Sequence, residues 1–314
     1  MRKIIQKIIN FFKNDSKDSN LIEHGIINYE NLLRENNISP PSDIKAKSIT
    51  CFNGFLIHNL DRLTKYSGGE AKVTIPSFVT NISAQAFAGN KSIEEVIIPP
   101  SVTLIGSLAF ANCSNLLHIE IQNRNAIIGE GAFDGTAWYN SQATGVVYYD
   151  STLYSVKEKY SSIVKIKEGT TSISPFSFYF CKKLKSITVP ESTHTINTGA
   201  FMDCSSLEEI TFIGNGLKYI GDIAFKNCKR IKKVYLPKSL KHIGRAFSGC
   251  DELKDILIYD EIEFIDEHAF DNLDITIHCI ENSYAHIFAK KNNIKFSIYQ
   301  PKVWEFMLIT LNVN

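Results

Sequence analysis

One phrase, Ile220 to Leu236 (IGDIAFKNCKRIKKVYL), recurs along most of this chain, and a recurrence this regular restricts the fold more than any other feature. In register on the residue pair that ends in Phe, the copies place Phe87, Phe110, Phe133, Phe178, Phe201, Phe225, Phe247 and Phe270 in steps of 23, 23, 45, 23, 24, 22 and 23 residues. The step of 45 is two coils, one of them degenerate. Units of this length cannot bury an apolar face alone, so stability has to come from stacking.

Stacked coils bury the same positions each time, which lets inside and outside be read column by column. Five before the anchor stand Ile82, Ile105, Ile128, Ile173, Ile196, Ile220 and Ile265, with Ile243 four before Phe247. Gly106, Gly129, Gly221 and Gly244 follow that column and are expected at a tight bend. Six after the anchor come Ile93, Leu116, Leu184, Leu207, Ile231 and Leu253. Nine and eleven after it come pairs such as Val96 and Ile98, Ile187 and Val189, and Val234 and Leu236. A spacing of two is a strand with one buried face. Pro99, Pro190 and Pro237 end such strands, where no amide donor is needed.

Coils of 22 to 24 residues with L-x-x-L-x-L strands have leucine-rich-repeat geometry. The wording I-x-x-x-A-F-x-x-C-x-x-L-x-x-I-x-I-P resembles the BspA-like leucine-rich repeats of bacterial and some protist surface proteins, over about Leu63 to Phe296. The resemblance implies a right-handed, β-rich α/β solenoid of parallel strands that recognises protein or glycan, and it implies no chemistry. The domain reading is an amphipathic helix and polar linker over 1–20, an N-terminal cap over 21–62, the solenoid over 63–300, and a tail over 301–314.

Seven Cys without a C-x-x-C pair fit neither a disulfide framework nor a zinc ribbon. Cys113, Cys181, Cys204, Cys228 and Cys250 all lie three after the anchor, the column that takes a small buried residue in leucine-rich repeats. They read as a ladder of buried, reduced thiols rather than a soft-metal column, and no cofactor or metal is expected. A net charge of +1 gives no electrostatic reason to expect nucleic acid.

At the N-terminus, MRKIIQKIINFFK sets Ile4, Ile5, Ile8, Ile9, Phe11 and Phe12 on one side of a helix and basic or amide residues on the other. That face either covers the open end of the solenoid or packs on a partner chain, or else lies on a membrane surface, the last being the alternative function. It has neither the unbroken apolar core nor the cleavage site of a secretory signal, and the tail carries no wall anchor, so export is not expected by those routes. Residues 28–37 read as a second short helix, and Ile49 to His58 as a hairpin about Asn53-Gly54. Val146 to Val156 reads as an extra hairpin bulging from the solenoid, with Trp138 wedged beneath it. Ser283 to Lys291 reads as a capping helix with Tyr284, Ile287 and Phe288 on its inner side.

Residues eight and ten after each anchor should point outward and build the binding face. The expected contacts are Ile97, Tyr235 and Leu257, supported by His118, Glu120, Lys233 and Asp255. Neither His118 with Glu120 nor the isolated pair His278-Cys279 converges on a nucleophile, so an enzyme is not expected.

Overall fold

In the computed structural model the described residues are 49–298, apart from 60, 158–160 and 272. The helices expected over 1–13 and 28–37, and the tail 301–314, lie outside them. The described chain is a solenoid of about ten turns. Each regular coil has three sides: a strand of three or four residues such as Ser186–Val189, a two-residue strand such as Thr195–Ile196, and a run of turns around the anchor Phe. Strands of each kind pair in parallel with their counterparts in neighbouring coils, for example Ile187 with Ile210 and Ile196 with Ile220. No helix among the described residues is long and apolar enough to cross a membrane.

Strand spacing of about 4.8 Å dictates how the interior packs, because each residue sits one strand spacing from its copy in the next coil. Flat rings suit that repeat. Phe225 lies 5.2 Å from Phe201 with the planes 1° apart, and 5.3 Å from Phe247 at 10°. All eight anchors are buried, as is the whole Ile column before them. The thiols form the expected ladder: those of Cys113, Cys204, Cys228 and Cys250 donate to the carbonyls of Phe87, Phe178, Phe201 and Phe225, at 3.1–3.2 Å. The glycine column has a different reason from the one its sequence suggests. Gly106 has no left-handed backbone; instead a Cβ there would lie 2.5 Å from the Ala84 amide nitrogen in the preceding coil, so close stacking, not bending, requires it.

The thiol ladder gives the fold an alkaline limit. Burial pushes Cys113 up to about 11 and Cys250 up to about 12 from an ordinary value of 9.0, and raises Cys204 and Cys228 as well. The folded chain therefore favours the protonated thiol. The resulting stability is complete below the unfolded value near pH 9 and is lost as pH rises through about 11 to 12. Urea midpoints should hold steady from neutral pH to about 9 and then fall, while a thiol reagent at pH 8 labels these groups only on unfolding. Rapid labelling of the native chain would contradict this.

The hairpin does not bulge from the solenoid; it divides it. Val146–Tyr149 pairs antiparallel with Thr152–Val156, and the second strand joins the two-residue strands as the parallel neighbour of Ser172–Ile173. Its side chains alternate between two separate cores, Val147 and Tyr154 in the N-terminal one and Leu153 in the C-terminal one. Among the described residues His118–Ile121 ends its sheet here without a further strand. Three tyrosine hydroxyls supply what the missing coil would have supplied. Tyr149 donates to Ile119 O (2.9 Å) and accepts from Ile121 N (3.0 Å), closing the open edge of that strand. Tyr154 accepts from Phe133 N at 2.8 Å, where Phe110 N instead finds the carbonyl of Ala132 in the next coil. Tyr148, facing the other way, accepts from Lys167 N at 3.0 Å. Trp138 packs as a wedge, its ring edge-on to Phe133, Tyr149 and Tyr154 at 5.6–5.8 Å. It sits in a short helix, Ala137–Ser141, that sequence patterning missed; the buried Thr136 caps it by accepting from Tyr139 N.

Both ends of the described stack are closed. At the first, Ile49–Phe52 pairs with Phe55–His58 across Asn53-Gly54, both with positive φ as a type I′ turn requires. At the other, helix Tyr284–Lys291 is capped by Ser283 as expected, but its buried side is Ala285, His286, Phe288 and Ala289. Tyr284 and Ile287, assigned inward from sequence, are 40% and 61% exposed. Two alanines let the helix approach the last coil closely, and Phe288 ends the ring ladder 6.3 Å from Phe270; larger residues on that side would hold it off.

Candidate recognition face

Among the described residues the outward faces of the longer strands form three sheet segments rather than one. Lys72–Thr74, Glu95–Ile98 and His118–Ile121 make the first, ended by the hairpin. Ile163–Lys165, Ser186–Val189 and Glu209–Phe212 make the second, which stops where a 24-residue step adds one residue to the coil. Lys233–Tyr235, Asp255–Leu257, Thr276–Cys279 and Lys295–Ile298 make the third. The candidate residues are therefore split. Ile97, His118 and Glu120 belong to the first segment, and Lys233, Tyr235, Asp255 and Leu257 to the third.

On the first segment Ile97 is half-buried, while His118 and Glu120 are exposed. Glu120 accepts from the amide of Gln122 at 2.9 Å, and Ile97 pairs in register with Glu120 rather than with another apolar residue. These three make a mixed, solvated surface.

The third segment is more organised. Register places Tyr235, Leu257 and His278 side by side in one row, and Lys233, Asp255 and Thr276 in the next. Lys233 Nζ stands 3.8 Å from Asp255 Oδ2, and His278 Nε2 is 2.9 Å from Asp255 Oδ1. Asp255 thus bridges two cationic or hydrogen-bonding neighbours from the coils on either side. The Lys233 pair is too exposed to add much stability, since surface pairs contribute about 0–1 kcal/mol. Its effect is to fix where the charges stand.

Leu257, read from sequence as an exposed contact, has no exposed surface at all. It packs with Tyr259, Tyr235 and Ile280 into a small apolar cluster on the outer side of the sheet. Pleat alone made it outward; large neighbours in the adjoining rows cover it. The accessible part of the site is accordingly Tyr235, half-buried, with Lys233 and Asp255 beside it. His278 belongs with them and was missed, because the spacing after Phe270 shortens to Ile275 and Ile277 and His278 was read only as an isolated pair with Cys279. Counting from the inward residue Ile277, which pairs with Ile256, places His278 beside Leu257.

Residues 65–145 and 150–295 match the family profile of the BspA type leucine rich repeat region, in six copies. No curated protein matches the sequence. Among solved structures, the chain is similar to a leucine rich cell surface protein from Faecalibacterium prausnitzii at 20% identity and a TM-score of 0.44, covering 80% of this chain and 98% of that one. For the pneumococcal vaccine antigen PcpA the identity is 16% and the TM-score 0.41, with 84% and 91% covered. For a leucine-rich repeat protein from Bacteroides ovatus they are 22% and 0.36, with 81% and 72% covered.

Proposed function

The chain belongs to the BspA-type leucine-rich-repeat family, and from that premise we propose that it is a recognition module that binds protein or glycan through the outward face of its longer strands. One observation carries the reading: the third segment presents the half-buried Tyr235 and Ile280, seated on the buried Leu257 and Tyr259, beside a polar row of Lys233, Asp255 and Thr276. An apolar centre with a charged rim is the anatomy of a binding interface. Tyr235 is the anchor of choice, since an amphipathic ring that is already partly ordered loses little freedom on binding. Leu257 acts from below by holding that ring in place.

The test is a glycan array and an array of extracellular proteins, probed with the full chain and with a Lys233→Ser, Tyr235→Ser variant. Binding should weaken by about 2 kcal/mol, some 30-fold, if Tyr235 is a hot spot. Folding stability should fall by about 1 kcal/mol or less, since both positions retain solvent contact. Leu257→Ser behaves oppositely, losing roughly 2–4 kcal/mol of stability because it empties a buried site. Unchanged binding by the double variant would remove this segment from the account.

A further inference from the structure

The inward column of the third segment does not stay inward to its end. Ile256, Ile277 and Cys279 have no exposed surface, yet Phe296 and Ile298, which pair in register with Ile277 and Cys279, each keep 38% of theirs. Helix Tyr284–Lys291 closes the turn side of the last coil but meets Phe296 only along one flank, where the His286 ring stands edge-on at 4.7 Å and the Lys290 ammonium at 5.8 Å. Tyr284 and Ile287 on that helix are exposed as well. Strand Lys295–Ile298 is also the last of its sheet, with no strand beyond it among the described residues. An open edge beside open apolar side chains is a template for one more strand.

The sequence just beyond the described residues supplies a match for that edge. Residues 303–311, VWEFMLITL, hold seven apolar side chains, one charge and neither Pro nor Gly. Every residue there has an amide to donate, and most favour a pleated, half-buried surface. Drawn out as a strand, the segment would set Trp304, Phe306 and Leu308 on one side and Val303, Met307 and Ile309, with Glu305 among them, on the other. Whichever side turns inward, an apolar row meets Phe296 and Ile298.

Connection decides between this segment and any separate molecule. Only residues 299–302 lie between it and Ile298, a length common in loops that join antiparallel neighbours, and Pro301 falls in that loop, where no donor is required. A segment tethered so closely has an effective concentration on the order of 1 mM, which a free partner must exceed. We propose that residues 303–311 lie along strand Lys295–Ile298 of the same chain, pair with its open edge and cover Phe296 and Ile298. The segment is a built-in stop: it lengthens the third sheet segment by one strand and denies the edge to other chains. This goes beyond the reading of the strand face and holds whatever ligand binds there.

The experiment is amide hydrogen exchange on the full chain over a range of protein concentrations. Amides within 303–311 should be protected at least about tenfold over an unfolded peptide, to the same degree at every concentration. Phe306→Pro removes a donor and a ring together; it should strip that protection and speed exchange of those amides of Lys295–Ile298 that face the open edge, while Thr276–Cys279 keeps its own. Phe296→Ser leaves the segment intact but takes away what it covers, and should release it too. Asn312→Pro, just past the segment, should change neither region. Exchange within 303–311 as fast as in an unfolded peptide, or an edge strand that exchanges alike in the parent and in Phe306→Pro, would overturn the proposal. Protection that grows with concentration would overturn it by giving the edge to a second copy. Protection that arises only with vesicles of phosphatidylserine and phosphatidylcholine would do so by giving the segment to a lipid surface.

Discussion

Phe225→Ala should destabilise the chain by about 4 kcal/mol, at the upper end of what one buried aromatic supplies. The ring is fully buried and stacks on both faces, against Phe201 and Phe247. Removing it therefore opens a void that two coils share and neither can close, because their separation is set by backbone pairing between Ile220 and its partners Ile196 and Ile243. In a stack where each unit is stabilised mainly by its neighbours, that loss falls on two interfaces at once. Urea unfolding of the parent, Phe225→Ala and Phe225→Leu gives the check. The leucine variant refills much of the volume and should lose about half as much. A loss below about 1 kcal/mol for the alanine variant would mean that the ring ladder is not what holds the coils together.

The second large effect is expected where the ladder is interrupted. Tyr154→Phe removes one oxygen and leaves the Phe133 amide, deep in the core, without its acceptor. An unsatisfied buried donor costs roughly 1–3 kcal/mol. The same hydroxyl donates to Asp134 Oδ1 at 3.1 Å. Burial, and then the Asp134 carboxylate, push this phenol far above its ordinary value, so it remains protonated and able to donate wherever the chain is folded. Tyr149→Phe exposes the unpaired edge of His118–Ile121 and should cost about 1–2 kcal/mol, less because that strand is only half-buried and water can partly substitute. Amide exchange locates both effects: Phe133 should exchange faster in the first variant while Phe110, bonded to Ala132, keeps its protection. Uniform acceleration along the whole chain would contradict a local role for the hairpin tyrosines.

These two sites show what could be read from sequence and what could not. The Phe, Ile and Cys columns were legible because a stack imposes one environment on each position, so a residue type recurs wherever the geometry recurs. The hairpin was legible as two strands about Asp150-Ser151, yet its role as a partition was not. That role depends on which backbone groups the neighbouring coils leave unpaired, and nothing in Val146 to Val156 records them. Leu257 was misplaced because a period of two assigns a face of the sheet but says nothing of what covers it; Tyr235 and Tyr259 do. The inner side of Tyr284–Lys291 was misplaced for the converse reason. Small residues, not large ones, allow the closest approach, and Ala285 and Ala289 carry too little hydrophobicity to mark themselves.

Site-directed photo-crosslinking tests the central claim, recognition on the outward strand face, most directly. A photo-reactive side chain is placed at Lys233 or Thr276, on the third segment, and in parallel at exposed Asn112, on the turn side. Each full-length chain is then illuminated with whichever array component the parent binds. The account predicts adducts from Lys233 and Thr276 and none from Asn112. Adducts from Asn112 with none from the strand positions would contradict it.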